Sequence, residues 1–555
     1  MNLLAARKGT GFDRFDAAVL AAYAGVLAWA IHHHQPFVDE AQAWVIARDS
    51  SLHELLFRRL HYEGCPALWP LILWVATRLH LPYAGLNWLA GFLALPGVFL
   101  LLRHAPFPRI FRWLFPFTFF LQYQYAVIAR PYVLFPGLLF ALCILFTLSK
   151  PRPIFFALVA GLLVNISFQA ALIAAVFSLL YLRNLWLLPG HSTQRASSRQ
   201  IVAAVGLFVL LSALSAAVAF PAPDVVLVSA PSKAVVAKPN AILLKLVPEE
   251  RMPSGAAPLD PPLESIASGK ASQNAADYPA IVRAAIATII LGANAACFPI
   301  AKSNLLAVCF LACMLLWLWS RRCLYLALPF FIAVLFSVQI VVFDYHTGLF
   351  LLALVAAVWI ALESFPPTRR TPWIQPLSGG VAIAVVLLQI GWSTHCIRSE
   401  TFAPYDPGRE TEAFLVGNFP GKRIAGFSYE SVSTQAYAKQ NLFFNQPKAF
   451  WLWSIPVSID RRRAEALAQH PDVVVAGDLI TREELVFNQW ITILPAGTHP
   501  YLPMLQFWQQ HGYRITHRFC GDRFVRMGVS DTFCEVILEP VPGYVAVTLS
   551  SQGPR

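Results

Sequence analysis

The chain has 555 residues, 57% of them hydrophobic and 13% charged, with a mean hydropathy of +0.57. Soluble domains carry about a quarter charged residues, so a water-soluble globular protein is excluded and a polytopic α-helical membrane protein is expected. The net charge of +12 would suggest nucleic acid in a soluble chain. Here Lys and Arg gather in loops, where they set topology and meet anionic lipid, and no nucleic-acid partner is expected.

Arg7, Lys8 and Arg14 precede an apolar run that reads as an uncleaved signal anchor with a cytoplasmic N-terminus. A hydrocarbon core of ~30 Å takes about 20 helical residues. Apolar runs suited to it cover 17–34, 66–77, 82–102, 113–129, 131–148, 154–182, 201–220, 281–300, 303–320, 323–343, 347–362 and 376–396. About 11 to 13 spans are expected on that length criterion. The 154–182 run is too long for one upright span, and Asn165 and Gln169 interrupt it. If the helix continues, these two residues share a face, four apart. Strict alternation puts the basic loop 103–109 on the same side as loop 35–65, against the tendency of short basic loops to be cytoplasmic.

The transmembrane domain is expected over 1–397, with a first extracytoplasmic loop at 35–65 and a long polar Pro/Ala/Ser-rich loop at 221–280. From Arg398 the composition changes. Strands are expected at 423–427, 472–476 and 535–538 and helices at 410–416 and 461–469, giving a soluble C-terminal α/β domain over 398–555. Of the nine cysteines, Cys520 and Cys534 fall in this domain and can form a disulfide if it is extracytoplasmic.

The stretch with most chemistry follows the first span. Asp39 and Glu40 open an amphipathic segment, and Ser51-Leu52-His53-Glu54 opens a second with a capping-box pattern. His61, Tyr62 and Glu63 then lead through Gly64-Cys65-Pro66 into the next apolar run. A carboxylate at a membrane face suits a general base that deprotonates an attacking hydroxyl, so Asp39 is the leading catalytic candidate. Its spacing alone fits a helix N-cap better, with Gln42 reaching back as in a capping box, and the two roles are compatible. Glu40 orients an acceptor or adds a favourable negative charge in the first helical turn. Glu63 is an acceptor contact or a solvated loop charge.

Further along, Ala129-Arg130-Pro131-Tyr132 lies at the edge of apolar runs. An Arg there needs protein, water or a headgroup to face. Arg130 is a candidate for binding phosphate through its fork of N–H donors, or else a snorkelling anchor. In Asp344-Tyr345-His346-Thr347-Gly348, His346 is an interfacial His satisfied by its neighbours, the commoner case, or a second candidate phosphate contact. His32, His33 and His34 diverge by ~100° per residue on a helix and read as an interfacial cap, not a metal site. No D-x-D, Walker A or G-x-G-x-x-G pattern supports a metal or nucleotide, so no cofactor is expected; a divalent cation is possible but unsupported.

The order of anchor, Asp-Glu pair, two amphipathic stretches and a Gly-x-Pro start to the next run resembles the first extracytoplasmic loop of the GT-C superfamily of membrane glycosyltransferases. These include the protein O-mannosyltransferase and aminoarabinose transferase type. The Ala-Arg-x-Tyr sequence at Arg130–Tyr132 is similar to that of many members. The resemblance implies a GT-C-like fold and transfer of a sugar from a polyprenyl-phosphate donor to an extracytoplasmic lipid, glycan or protein acceptor. It implies Asp39 as base with Glu40 beside it, and Glu63, Arg130, Tyr132 and His346 at the substrates. It also implies a multi-pass protein of a bacterial inner or plasma membrane with the C-terminal domain extracytoplasmic. Cys65 stands where members commonly have His, and no Arg accompanies His346, so those family roles do not carry over. A transporter or flippase for a lipid-linked saccharide is the alternative. It would place paired ionisable groups or broken segments at mid-membrane depth, whereas the polar residues here cluster at span ends.

Overall fold

A computed structural model of the chain describes residues 12–187, 196–221, 304–340, 344–365, 373–427, 431–446, 459–481, 485–487, 492–494, 502–525 and 529–543. The 281–300 run and the polar loop beyond Pro221 lie outside them. Among the described residues the protein is mostly helical, with six helices long and apolar enough to cross a membrane. These are Arg14–His33, Tyr83–His104, Phe168–Trp186, Ser198–Ala219, Tyr345–Ser364 and Ile374–Phe402. Five shorter apolar helices accompany them.

α1 (Arg14–His33) starts at a true capping box, Asp13 accepting from Asp16 N–H while the Asp16 carboxylate reaches back to Asp13 N–H. The chain then folds into a helical loop rather than recrossing. α2 (Val38–Asp49) is followed by a continuous helical stretch, 52–63 (α3), whose middle turn is π. α3 ends at Gly64, in the left-handed region at φ 61°. That conformation carries little penalty only without a Cβ.

α4 (Leu68–Arg78) corrects the expected span at 66–77. Eleven residues give a rod of ~16 Å, half the hydrocarbon thickness. Trp69 and Leu73 bury against Ala41, Trp44 and Val45 of α2, so α4 belongs to the loop. With one crossing removed, α5 (Leu86–His104) returns to the end from which α1 set out. Arg109, just past α5, pairs with Asp13 at 2.8 Å, and Trp113 donates to Asp16 at 2.9 Å. The basic 103–109 loop therefore shares an end with the start of α1, which removes the conflict posed by strict alternation.

From there the chain climbs through α6 (Arg109–Leu114) and a π turn (Phe119–Gln124) to Arg130, and descends in α7 (Phe135–Thr147). The long 154–182 run is two helices, α8 (Pro153–Val164) and α9 (Phe168–Leu187). Asn165 caps the first and donates to Gly161 and Leu211 carbonyls. Asn165 and Gln169 accordingly do not share a helix face, since the axis breaks between them. α10 (Ser198–Ala219) packs on α8. α11 (Asn304–Ser320), α12 (Leu328–Ile340), α13 (Asp344–Ser364) and α14 (Ile374–Phe402) complete the described bundle. Arg183 over the Tyr325 ring at 4.4 Å, and Arg321 donating to Phe365 O at 2.5 Å, gather further basic residues at the end opposite Arg130.

α14 runs past the bundle into the C-terminal unit. All five elements expected there form: α15 (Gly408–Asn418), β1 (Ile424–Phe427), α17 (Ile459–Leu467), β2 (Val473–Thr481) and β6 (Val529–Pro540). The sequence reading missed α16 (Ser431–Tyr437), the β3 (Leu485–Phe487) and β4 (Thr492–Leu494) pair, α18 (Leu502–Gln510) and β5 (Tyr513–Val525). The main sheet has the order β1-β2-β6-β5, with β1–β2 parallel and the rest antiparallel. Cys520 and Cys534 are cross-strand partners on β5 and β6 and form a disulfide. α16 seats this unit on the loop: Val432 and Ala436 enter the α2–α4 core, and Tyr437 meets Tyr83 edge-on at 4.8 Å. Arg48 of α2 donates to the Ala438 carbonyl at 2.9 Å.

Candidate functional site

The site forms where the α2–α4 loop meets the bundle end. α2 begins two residues earlier than its acidic pair suggests. Phe37 is the N-cap, and Glu40 at the third position accepts the Phe37 N–H at 3.1 Å. Asp39 is therefore not the cap, and Gln42 does not reach back to it. The capping reading is corrected, and Asp39 points its carboxylate at Arg130, forming an ion pair with Nη1. Both side chains stay partly open, 24% and 17% exposed. That exposure leaves the pair accessible to a ligand.

Arg130 reaches this position because Pro131 starts a 3-10 turn leading into α7, leaving Arg130 extended at the helix mouth. Its guanidinium lies over the Tyr345 ring at 4.3 Å and near the Tyr132 ring at 5.7 Å. Such stacking orients the fork and favours a retained charge. Tyr132 Oη and His346 Nε2 are 2.8 Å apart, and His346 Nδ1 is 3.4 Å from Gln169 Nε2. His346 and Tyr132 are buried.

His346 reaches Tyr132 through Gly348. A Cβ on Gly348 would overlap the Phe120 ring and stand 2.6 Å from Tyr125 Oη. Only glycine lets the first turn of α13 approach the 119–125 segment this closely. Tyr125 Oη donates to the Tyr345 carbonyl at 2.5 Å across that contact.

Glu63, at the end of α3, accepts from Gln42 Nε2 at 2.8 Å. Burial pushes its carboxyl up to about 7, reinforced by Asp39 and opposed by the Gln42 hydrogen bond and Arg130. Burial also pushes the neighbouring Cys65 thiol up to about 12, so it is not a thiolate nucleophile at neutral pH. Asp39 and Glu63 are thus two carboxyl groups in different surroundings at one place, one held by a cation and one half-buried beside an amide.

Glu40 departs from the expectation of an acceptor contact. It is fully enclosed, 0% exposed, and leaves no oxygen for a substrate. One oxygen accepts from Asn87 Nδ2 at 2.7 Å and Ala129 N–H at 2.6 Å, the other from Phe37 N–H and His34. His34, which the sequence places in an interfacial cap with His32 and His33, is buried. Its other nitrogen meets Glu400, 366 positions away in sequence, a pairing that no local pattern announces.

The site thus brings together Asp39, Glu63, Arg130, Tyr132 and His346, all singled out from sequence, and adds Tyr345, Gln42 and Gln169. Gln169 showed as a polar break in an apolar run, expected with Asn165 to join helices or line a cavity; Tyr345 had the signal of lying beside His346. A cavity of about 660 Å³ lined by Phe107, Met314, Val358 and Ser378 lies toward the other end of the bundle and includes none of these residues. Fold and site define a polytopic helical protein with membrane-length helices and a charged cluster of acid, base and imidazole at one end of the bundle. Comparison with protein-family models, curated proteins and solved structures finds no match for this chain.

Proposed function

We propose that this protein is an integral-membrane glycosyltransferase of GT-C type. It moves a sugar from a polyprenyl-phosphate donor to a hydroxyl of a lipid, glycan or protein acceptor. The observation that carries the reading is the Asp39–Arg130 pair: a base and a fixed cation, 91 residues apart in sequence, meet partly exposed at the bundle end.

In that reaction the acceptor oxygen attacks the anomeric carbon, and the carbon–oxygen bond to the donor phosphate breaks. The electron pair leaves on polyprenyl phosphate and the acceptor proton passes to Asp39. Arg130 stabilises the phosphate as its charge grows, the effect from which such a site gains most. Donor phosphate must then replace Asp39 as the guanidinium's partner, so that donor binding itself frees the base. Tyr345 keeps the guanidinium in place during the exchange. His346 and Tyr132 offer a further hydrogen bond to phosphate, and Glu63 with Gln42 lines the acceptor side.

Sidedness supports the same reading. The short basic loops lie at the end opposite the site, as cytoplasmic loops do. The Cys520–Cys534 disulfide at the site end fits an oxidising compartment, such as the outer face of a bacterial inner membrane.

The test uses the purified full chain in lipid with a panel of polyprenyl-phosphate sugars, reading release of polyprenyl phosphate. Release from the wild type, lost in Asp39→Asn, is the expected result. No release with any donor, together with carrier movement across vesicles, would replace the transferase with a flippase.

A further inference from the structure

His34 is the last residue before the catalytic loop leaves α1, and it is buried with both ring nitrogens committed. Nε2 lies 3.0 Å from Glu40 Oε2 and Nδ1 lies 2.8 Å from Glu400 Oε2. Glu400 belongs to the last turn of α14 and also accepts from Tyr123 Oη. The Tyr405 ring lies 5.3 Å from the imidazole. A neutral imidazole has one N–H and one lone pair, so it can satisfy only one of two carboxylates. Two carboxylate oxygens on opposite sides of the ring call for two N–H donors.

We infer that His34 is an imidazolium strut and a positioning residue, clamping Glu40 to Glu400 so that the first turn of α2 holds Asp39 opposite Arg130. The route is short. Glu40 is the residue after Asp39, and it also binds the N–H of Ala129, the residue before Arg130. His34 fixes the Glu40 oxygen that is shared with the Phe37 cap, and thereby the direction in which α2 starts. Glu400 links this turn to α14, which leads into the C-terminal unit, so the strut joins three parts of the chain. The charge balance is consistent. Burial alone would lower the His34 pKa, but Glu400 and Glu40 raise it to about 10. One imidazolium against two carboxylates leaves a negative charge that Asn87, Tyr123 and two backbone N–H groups share. The net stability from such a buried cluster is small, because desolvation offsets its Coulombic attraction.

The inference rests on the transferase reading only for what Asp39 does, and its test has arms that need no turnover. Histidine-labelled ¹⁵N NMR of the full chain in lipid nanodiscs, with His34 assigned by H34Q, should show both nitrogens protonated at about pH 8, well above the ordinary His range. Hydrogen exchange of residues 37–42 should rise about tenfold in H34Q and in E400Q, with β2 and β6 unchanged. With polyprenyl-phosphate sugars, H34Q should lower kcat ~30-fold while donor KM stays within about twofold, as expected when transition-state alignment alone is lost. A neutral His34, or unchanged exchange at 37–42, would overturn the strut. So would loosening of the whole chain with kcat and KM both shifted, which is the pattern of a merely structural residue. If the wild type turns over no donor, the function reading fails and the NMR and exchange arms alone decide this one.

Discussion

Glu40 accepts the backbone N–H of Ala129 at 2.6 Å. This one bond joins the residue after Asp39 to the residue before Arg130, and so sets the separation of the ion pair from behind. The carboxylate is fully buried, with donors on both oxygens. Glu40→Gln keeps the shape but removes the charge facing His34, and turns a donor toward an N–H. It should cost about 3 kcal/mol, the typical penalty for removing one partner of a buried pair. Thermal unfolding in lipid is the measurement.

Asp39→Asn should behave oppositely. The N-terminal turn of α2 is capped by Glu40 and Phe37 N–H, not by Asp39. Stability and helicity should therefore stay near wild type while turnover falls about 10²- to 10⁴-fold, the usual contribution of a general base. Circular dichroism together with donor hydrolysis separates the two effects. A large loss of helix would return Asp39 to a structural role.

Glu63 predicts a pH signature with a definite sign. Its carboxyl is pushed up from the ordinary value of 4.5 to about 7 in the folded chain. Below 4.5 both states hold the proton and the group makes no difference. Between 4.5 and about 7 the unfolded chain releases its proton while the folded chain keeps it, so stability falls as pH rises. The drop should be about 2 kcal/mol, reduced from the full shift because Glu63 is only half-buried. Glu63→Gln should flatten this part of the stability profile.

Gly348→Ala tests the close approach of α13. The added methyl would overlap the Phe120 ring and Tyr125 Oη. Overpacking of this kind costs about 1–3 kcal/mol, and here it should also move His346 away from Tyr132. Gly391→Ala on α14 is the control, since a Cβ there meets nothing within 4 Å. Equal melting temperatures for the two variants would refute the argument.

Replacing Cys534 with Ser opens a loop closed over a separation of 14 residues. Loop entropy puts the loss at about 3 kcal/mol. It should appear in unfolding of the sheet unit, followed by the fluorescence of buried Trp508, while the helical bundle is unaffected.

The helical, membrane-length character of the chain, the sheet-bearing C-terminal unit and most of the charged cluster are legible in the amino-acid order. Composition and hydrophobic run length are local quantities, and an Arg or a carboxylate at the edge of an apolar run is conspicuous because it is costly there. The five C-terminal elements that were expected have strong local patterns. β5 has a less regular one and forms because it pairs with β6 across the Cys520–Cys534 register.

The remaining features depend on packing between distant segments. Run length did not separate α4 from a crossing, because an apolar segment of 11 residues buries equally well against a loop helix as in lipid. The Asp13–Arg109 pair, formed only once α1 and α5 lie side by side, shows which ends go together. Whether Asp39 caps α2 depended on where α2 begins, and that is fixed by what Glu40 binds from distant segments, Asn87 and Ala129. His34 was invisible as a strut for the same reason. Its meaning lies in a carboxylate 366 residues away, and pairing over such a separation depends on packing, which no local pattern encodes.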